Sequence, residues 1–327
     1  MGATGIVGQR MIALLEDHPW FFVAKLGASP MSVGSVYGSI VRWRISDSEL
    51  SPAVASLSIL PCSADQFMDC SWVFSALDTD LALAIEPLFK EAGLRVFSNS
   101  AAYRLDTEMA CLVVPTANPG KLARLETETG KNKIVANTNC TTSGIAVVLA
   151  ALAAHRPASV MVNSMQAVSG AGISPGISFM DISDNVIPFI AQEEEKIEQE
   201  LACLFPGLKV SAQCNRVNVS DGHMVHLAIS LSSTATTEAI TDSLAKYSTT
   251  LRAYPTSPKE AIVIKTEVDR PQPKLDRMNG KGMSVTVGRI RPFPLFTNGI
   301  QLTLLLHNTI LGAAGSALLN AEILWRP

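Results

Sequence analysis

An excess of charge of either sign is missing from this chain: its 327 residues carry 26 Lys+Arg against 29 Asp+Glu, a net charge of −3. That balance does not predict nucleic-acid binding, which needs a basic face. Long apolar runs are missing as well. The best candidate, Ile145 to Ala154, falls short of the roughly 20 residues that span a bilayer, and its small side chains suit a buried helix. The opening Gly2-Ala3-Thr4-Gly5 has neither a basic n-region nor an apolar h-region, so no secretory signal is expected. The six cysteines (Cys62, Cys70, Cys111, Cys140, Cys203 and Cys214) lack C-x-x-C spacing. They read as free thiols in a reducing compartment, with one or two reactive at most. A cytoplasmic protein without a metal centre is expected.

What is present describes a packed globule, with 47% hydrophobic and 17% charged residues and no low-complexity tract. The length suits two domains or one large one. Ile6, Val7, Met11, Leu14 and Leu15 recur at helical spacing and predict a helix over residues 5–17. Phe21 to Leu26 reads as a buried strand, and Ser71 to Leu77 as another before a helix from Thr79 to Ala92. Short apolar runs follow at Leu94 to Ser98 and Cys111 to Pro115. This alternation predicts an α/β, doubly wound, Rossmann-type parallel sheet. Beyond Cys140 come a helix over 141–155, longer strands at Val160–Val168, Leu208–Cys214 and His223–Leu231, and a charged helix near Gln192–Leu204. That texture predicts an α+β domain with a mostly antiparallel sheet. The last helix, Thr309 to Leu324, returns to the first domain. The expected division is therefore 1–139 with 308–327, and 140–307.

Gly2-Ala3-Thr4-Gly5-Ile6-Val7-Gly8 spaces its glycines by three. On a strand-to-helix turn, such glycines let the backbone approach a pyrophosphate lying on the helix N-terminus. The helix follows, but no strand precedes the turn in this sequence, so the sheet is expected to lack its first strand. A central strand of about six residues makes roughly ten ladder hydrogen bonds, each worth about 0.5–1.5 kcal/mol net. That total is comparable to the roughly 5–15 kcal/mol holding a domain together.

Asn137-Thr138-Asn139-Cys140-Thr141-Thr142-Ser143-Gly144 closes an apolar strand and opens a helix. A thiol at a helix N-terminus lies in the positive end of the dipole, which favours the thiolate. The segment resembles the active-site stretch shared by glyceraldehyde-3-phosphate and aspartate-semialdehyde dehydrogenases. The two differ in the residue facing the cysteine, histidine in the first and glutamine in the second. Here that position is Gln166, in Gln166-Ala167-Val168-Ser169-Gly170-Ala171-Gly172, which is similar to the semialdehyde family, in its fungal and archaeal branch.

The resemblance assigns roles. Cys140 is the nucleophile, Gln166 orients the acyl group, and His223 is the acid–base group, with His226 as a fallback. The amides after Cys140 stabilise the oxyanion. Arg216, in Cys214-Asn215-Arg216, grips the substrate carboxylate, while Arg104 and Lys196 hold its phosphate. Glu194 meets the substrate ammonium, and Asn139 completes the substrate site. Gly2, Thr4, Gly5, Ile6, Val7, Ser29, Ser169, Gly170 and Asn308 line the site for NADP (NADPH). Arg270-Pro271-Gln272-Pro273 and His307-Asn308 complete the likeness. The family's reaction is reduction of aspartyl 4-phosphate to aspartate 4-semialdehyde, in amino-acid biosynthesis, by a homodimer or homotetramer.

The chain departs from the family at the cofactor loop. Met31 and Ser35 stand where an arginine and a lysine usually hold the 2′-phosphate. Losing two charge-assisted hydrogen bonds costs roughly a hundredfold or more in affinity. Arg42 and Arg44 are the candidate substitutes. Two alternatives accompany the dehydrogenase reading: a cofactor-free Cys/His hydrolase or acyltransferase, and a non-catalytic homologue.

Overall fold

The computed structural model describes residues 1–127, 133–173, 176–247 and 253–325. Its first sheet comprises parallel strands β1 (Leu26–Ala28), β2 (Ile59–Pro61), β3 (Trp72–Ser75), β4 (Arg95–Ser98), β5 (Ala110–Val113) and β6 (Ile134–Asn137). They do not form one ladder. β1 pairs with β2 alone, and the other four run in the order β3-β4-β6-β5. The predicted strand Phe21–Leu26 joins the ladder only at its end, since Leu26 opens β1 and the preceding five residues form no regular element.

Residues 1–3 thread the gap between the two pieces. Met1 N donates to Phe74 O at 2.7 Å, Ala76 N donates to Met1 O at 3.1 Å, and Ala3 N donates to Gly27 O at 3.1 Å. Alongside lies an apolar cavity of about 250 Å³, with Phe21 and Val23 on one wall and Trp72 and Phe74 on the other. The parallel strands are thus divided where the glycine turn enters, and residues 1–3 bond to both pieces. Helix α1 (Ile6–Leu15) then packs Met11 and Leu15 on the core shared with Phe97 and Val113. Helix α2 (Thr79–Glu91) joins β3 to β4, the crossover that parallel strands require.

The second sheet has seven strands: β7 (Pro157–Gln166), β8 (Val186–Ile187), β9 (Lys209–Val217), β10 (His223–Leu231), β11 (Ile262–Ile264), β12 (Val285–Pro292) and β13 (Gly299–Leu306). Their order is β11-β12-β13-β10-β7-β9-β8, and four of the six pairings are antiparallel. One face is covered by α3 (Cys140–Ala151), whose residues Ile145 through Val148 are all fully buried. A helix apolar on every side belongs at the centre of a core. The other face is open at β7, where Met161 is exposed between the buried Val160 and Val162.

Two further helices place the chemistry. In α4 (Glu193–Leu204), three glutamates occupy the first turn, where the helix dipole favours them. The final helix, α5 (Gly315–Leu324), follows a π-helical turn over Ile310–Ala314 and docks Ala317, Leu318 and Ala321 on the first sheet's core. No helix among the described residues is long and apolar enough to cross a membrane.

Candidate active site

Cys140 is the first residue of α3, and Asn139 before it is the cap. Asn139 Oδ1 accepts from Thr141 N at 2.9 Å and Thr142 N at 3.3 Å, so the amides expected to receive the oxyanion are already bonded. A short polar side chain at the N-cap satisfies donors that a helix otherwise leaves bare. Among the described residues no acceptor takes the N–H of Cys140 itself, which leaves that amide as the available donor. Thr141 and Thr142 turn their hydroxyls into the core without partners.

His223, the first residue of β10, places Nε2 3.2 Å from Cys140 Sγ. Its other nitrogen, Nδ1, accepts from Ala167 N at 3.0 Å. That bond defines the tautomer of the neutral ring: the proton is on Nε2 and points at the sulfur. Burial, then Arg216 and His307, holds the imidazole well below its ordinary pKa, which agrees with a neutral ring. The thiol is pushed up to about 12, by burial first and Glu193 second, against Arg104 and Arg216. The thiolate expected at the helix N-terminus is therefore not the resting state, because desolvation outweighs the dipole here. His226 bonds Thr303 Oγ1 at 2.8 Å and is exposed, whereas His223 is buried. Three positions along a strand reverse the face, so His226 is no fallback for His223.

Gln166 ends β7 and donates from Nε2 to Ser164 Oγ at 3.2 Å and to Glu193 Oε1 at 3.3 Å. The same Glu193 oxygen accepts from Asn139 Nδ2 at 2.5 Å. Glu193, not Glu194, is thus the carboxylate beside the nucleophile. Glu194 Oε1 instead accepts from Cys214 N at 2.9 Å, on the side of α4 that faces β9. Each helical residue turns the side chain by about 100°, so a register error of one moves a group out of the site. The spacing held the signal: Lys196 follows Glu193 by three and Glu200 by seven, the period of one helix face. Lys196 is half-buried on that face.

Arg216 lies on β9 next to Gln166 in the register, is buried, and donates from Nη1 to Ala167 O at 2.8 Å. Gly170 closes over it: a Cβ there would lie 2.9 Å from Arg216 Nη1 and 3.1 Å from His223 Cε1. Arg104 reaches in from the first sheet, donating to Asn99 O and to Glu200 Oε1, each at 2.9 Å. Glu200, unremarked in the sequence, also accepts from Asn139 N at 2.6 Å. Asn308 Oδ1 accepts from Gly222 N at 2.9 Å and its Nδ2 donates to Ser169 Oγ at 2.8 Å, so it braces two loops of the site. Arg270 pairs with Asp276 at 2.7 Å, a local tie within its own loop.

The glycine turn is built for close approach. Gly2 has φ +73°, and Cβ atoms at Gly2 and Gly8 would come within 2.5 Å of Ala76 O and 2.2 Å of Gly2 O respectively. Gly5 caps α1 without a side-chain bond, and the first turn of Ile6 and Val7 carries no acid. Bare amides at a helix N-terminus fit a pyrophosphate. Gln9 fastens the turn, donating to Thr4 O at 2.9 Å and accepting from Arg44 N at 2.7 Å. Arg10 carries α1 to the thiol side through Thr309 Oγ1 at 3.3 Å, and a Cβ on Gly312 would lie 2.7 Å from Cys140 Cβ. Ser29 is exposed in the loop after β1, within 3.5 Å of Ser32 Oγ, and Met31 beside it is 96% exposed.

Fold and site define a class: a thiol–imidazole centre between a nucleotide-type parallel sheet and a mixed sheet. Residues 1–125 match the family model of the semialdehyde dehydrogenase NAD binding domain, and residues 149–311 that of the semialdehyde dehydrogenase dimerisation domain. The aspartate-semialdehyde dehydrogenase of Schizosaccharomyces pombe is 42% identical, covering 99% of this chain and 96% of the relative. That of Archaeoglobus fulgidus is also 42% identical, with the same coverage. Among solved structures, the Candida albicans aspartate semialdehyde dehydrogenase with NADP superposes with a TM-score of 0.90 at 36% identity, covering 99% of this chain and 97% of that one. The chain belongs to the semialdehyde dehydrogenase family.

Proposed function

We propose that the protein reduces aspartyl 4-phosphate to aspartate 4-semialdehyde with NADPH, through a thioester on Cys140. The observation that carries this reading is the 3.2 Å approach of His223 Nε2 to Cys140 Sγ, with Gln166 and Asn139 joined beside it through Glu193. Cys140 Sγ bonds to the acyl carbon, the carbon–oxygen bond to phosphate breaks, and the thiol proton leaves on the phosphate. Gln166 and the Cys140 amide face the oxygen that gains charge. Gly2, Gly5 and the first turn of α1 would hold the dinucleotide, which would supply the hydride taken up at the acyl carbon. The carbon–sulfur bond then breaks to release the aldehyde, and His223 Nε2–H meets the charge that returns to sulfur. For His223 to take a proton instead, Nδ1 must give up the Ala167 amide.

Arg216 suits the substrate carboxylate, Glu193 its ammonium, and Arg104 with Lys196 its phosphate. Residues 1–139 with 308–327 would form the cofactor domain, and 140–307 the catalytic and pairing domain; residues 128–132, 174–175, 248–252 and 326–327 of these ranges lie outside the described residues. The test is direct: the purified protein, given aspartate semialdehyde, phosphate and NADP, should form NADPH. Cys140→Ala should lower kcat by on the order of 10³ or more. Near-wild-type turnover by that variant would sink the proposal. A second reading, a cofactor-free thiol hydrolase, draws on the divided first sheet, and phosphate release without NADPH oxidation would favour it.

A further inference from the structure

The geometry points to Glu200 as a positioning residue: one buried carboxylate holds the Arg104 guanidinium and the main chain of Asn139 at a fixed spacing, so that the phosphate-side cation and the nucleophile stay in register. The inference rests on the proposed reaction for its meaning, but not for its test.

Glu200 is 2% exposed and lies on α4 two turns beyond Glu193, on the same face. Its two oxygens divide the work. Oε2 accepts from Asn139 N at 2.6 Å, the amide immediately before the nucleophile, and Oε1 accepts from Arg104 Nη1 at 2.9 Å. Asn139 and Arg104 come from different parts of the chain, the start of α3 and the loop after β4. Among the described residues Arg104 is otherwise anchored by Nη2 on Asn99 O alone, and its Nε is buried without a partner. Without the carboxylate, nothing visible in the structure holds the guanidinium against the Asn139 end of the helix. Glu193 and Glu200 thus grip opposite ends of one residue, Glu193 on the Asn139 side chain and Glu200 on its backbone. Burying a carboxylate is costly unless it is paired and hydrogen-bonded, and Glu200 is both. Burial raises its pKa and Arg104 opposes that rise.

Glu200→Gln keeps shape and volume but offers one acceptor and one donor where two donors now point. The KM for phosphate in the semialdehyde-oxidising direction should rise about tenfold, while the KM for aspartate semialdehyde stays within about twofold. With Arg104 no longer neutralised, the pH profile of Cys140 alkylation by iodoacetamide should move to lower pH. Glu198→Gln, which touches only Ala212 N from the same helix, should move neither reading. If Glu200→Gln does not fold, Arg104→Lys keeps the charge but loses the fork, and should reproduce the phosphate-specific rise in KM. Equal changes in both KM values, or an unmoved alkylation profile, would overturn the inference. Absence of turnover in the unsubstituted protein would count against the proposed reaction alone, since the alkylation profile still reports on Glu200.

Discussion

At Cys140, two effects of opposite sign meet. The N-terminus of α3 favours a thiolate, whereas burial and Glu193 favour the thiol, and the balance lies near a pKa of about 12. A raised thiol pKa leaves little thiolate at neutral pH, so reactivity must keep growing as the pH rises. Alkylation of Cys140 in the free protein should therefore climb through pH 10 with no plateau near 8, as a stopped-time series with iodoacetamide would show. The glutamates next door separate by role. Glu193→Gln should raise the KM for aspartate semialdehyde about tenfold. Glu194→Gln should leave KM nearly unchanged and lower stability by about 1 kcal/mol, because its contact is one strand amide. Cys140, Gln166, Arg216 and His223 were legible in the sequence because each belongs to a short motif with fixed spacing. Glu193 was missed because three adjacent glutamates differ only in the direction that α4 gives them, and Glu200 because its seven-residue spacing from Glu193 matters only once α4 is placed against Asn139.

At the scale of elements, the tight fit of α1 on its own turn decides how much change the cofactor loop tolerates. A methyl at Gly8 would lie 2.2 Å from Gly2 O and 2.9 Å from Ala3 Cα, both backbone. Gly8→Ala should lower stability by about 1–3 kcal/mol and weaken dinucleotide binding, measurable by thermal melting with and without NADPH. Most helices and strands ran close to their expected positions, with α2 over Thr79–Glu91 and β10 over His223–Leu231. The miss at Phe21–Leu26 has a plain cause. That run has strand-like residues, but only from Leu26 onward does a neighbouring strand offer partners. Propensity proposes a strand, and pairing completes it.

At the scale of the whole molecule, cofactor choice and subunit pairing rest on surface features far from Cys140. No cation stands between Ser29 and Ser35, and Arg42 and Arg44 are both exposed beyond it. NADPH and NADH should bind with dissociation constants within about tenfold of one another. A hundredfold preference for NADPH would show that Arg42 or Arg44 supplies the missing charge. The matched dimerisation domain spans the seven-stranded sheet, whose strand β7 leaves Met161 52% exposed. Met161→Glu should shift the mass seen by light scattering toward the monomer. The sequence alone determined the α/β class, and its short motifs singled out Cys140, Gln166, Arg216 and His223 as candidates, since these follow from local pattern. Only the tertiary structure decided that Glu193 replaces Glu194, that Asn139 occupies the amides meant for the oxyanion, and that the thiol rests protonated. Each depends on direction, hydrogen-bond competition or desolvation, which arise when distant segments pack together.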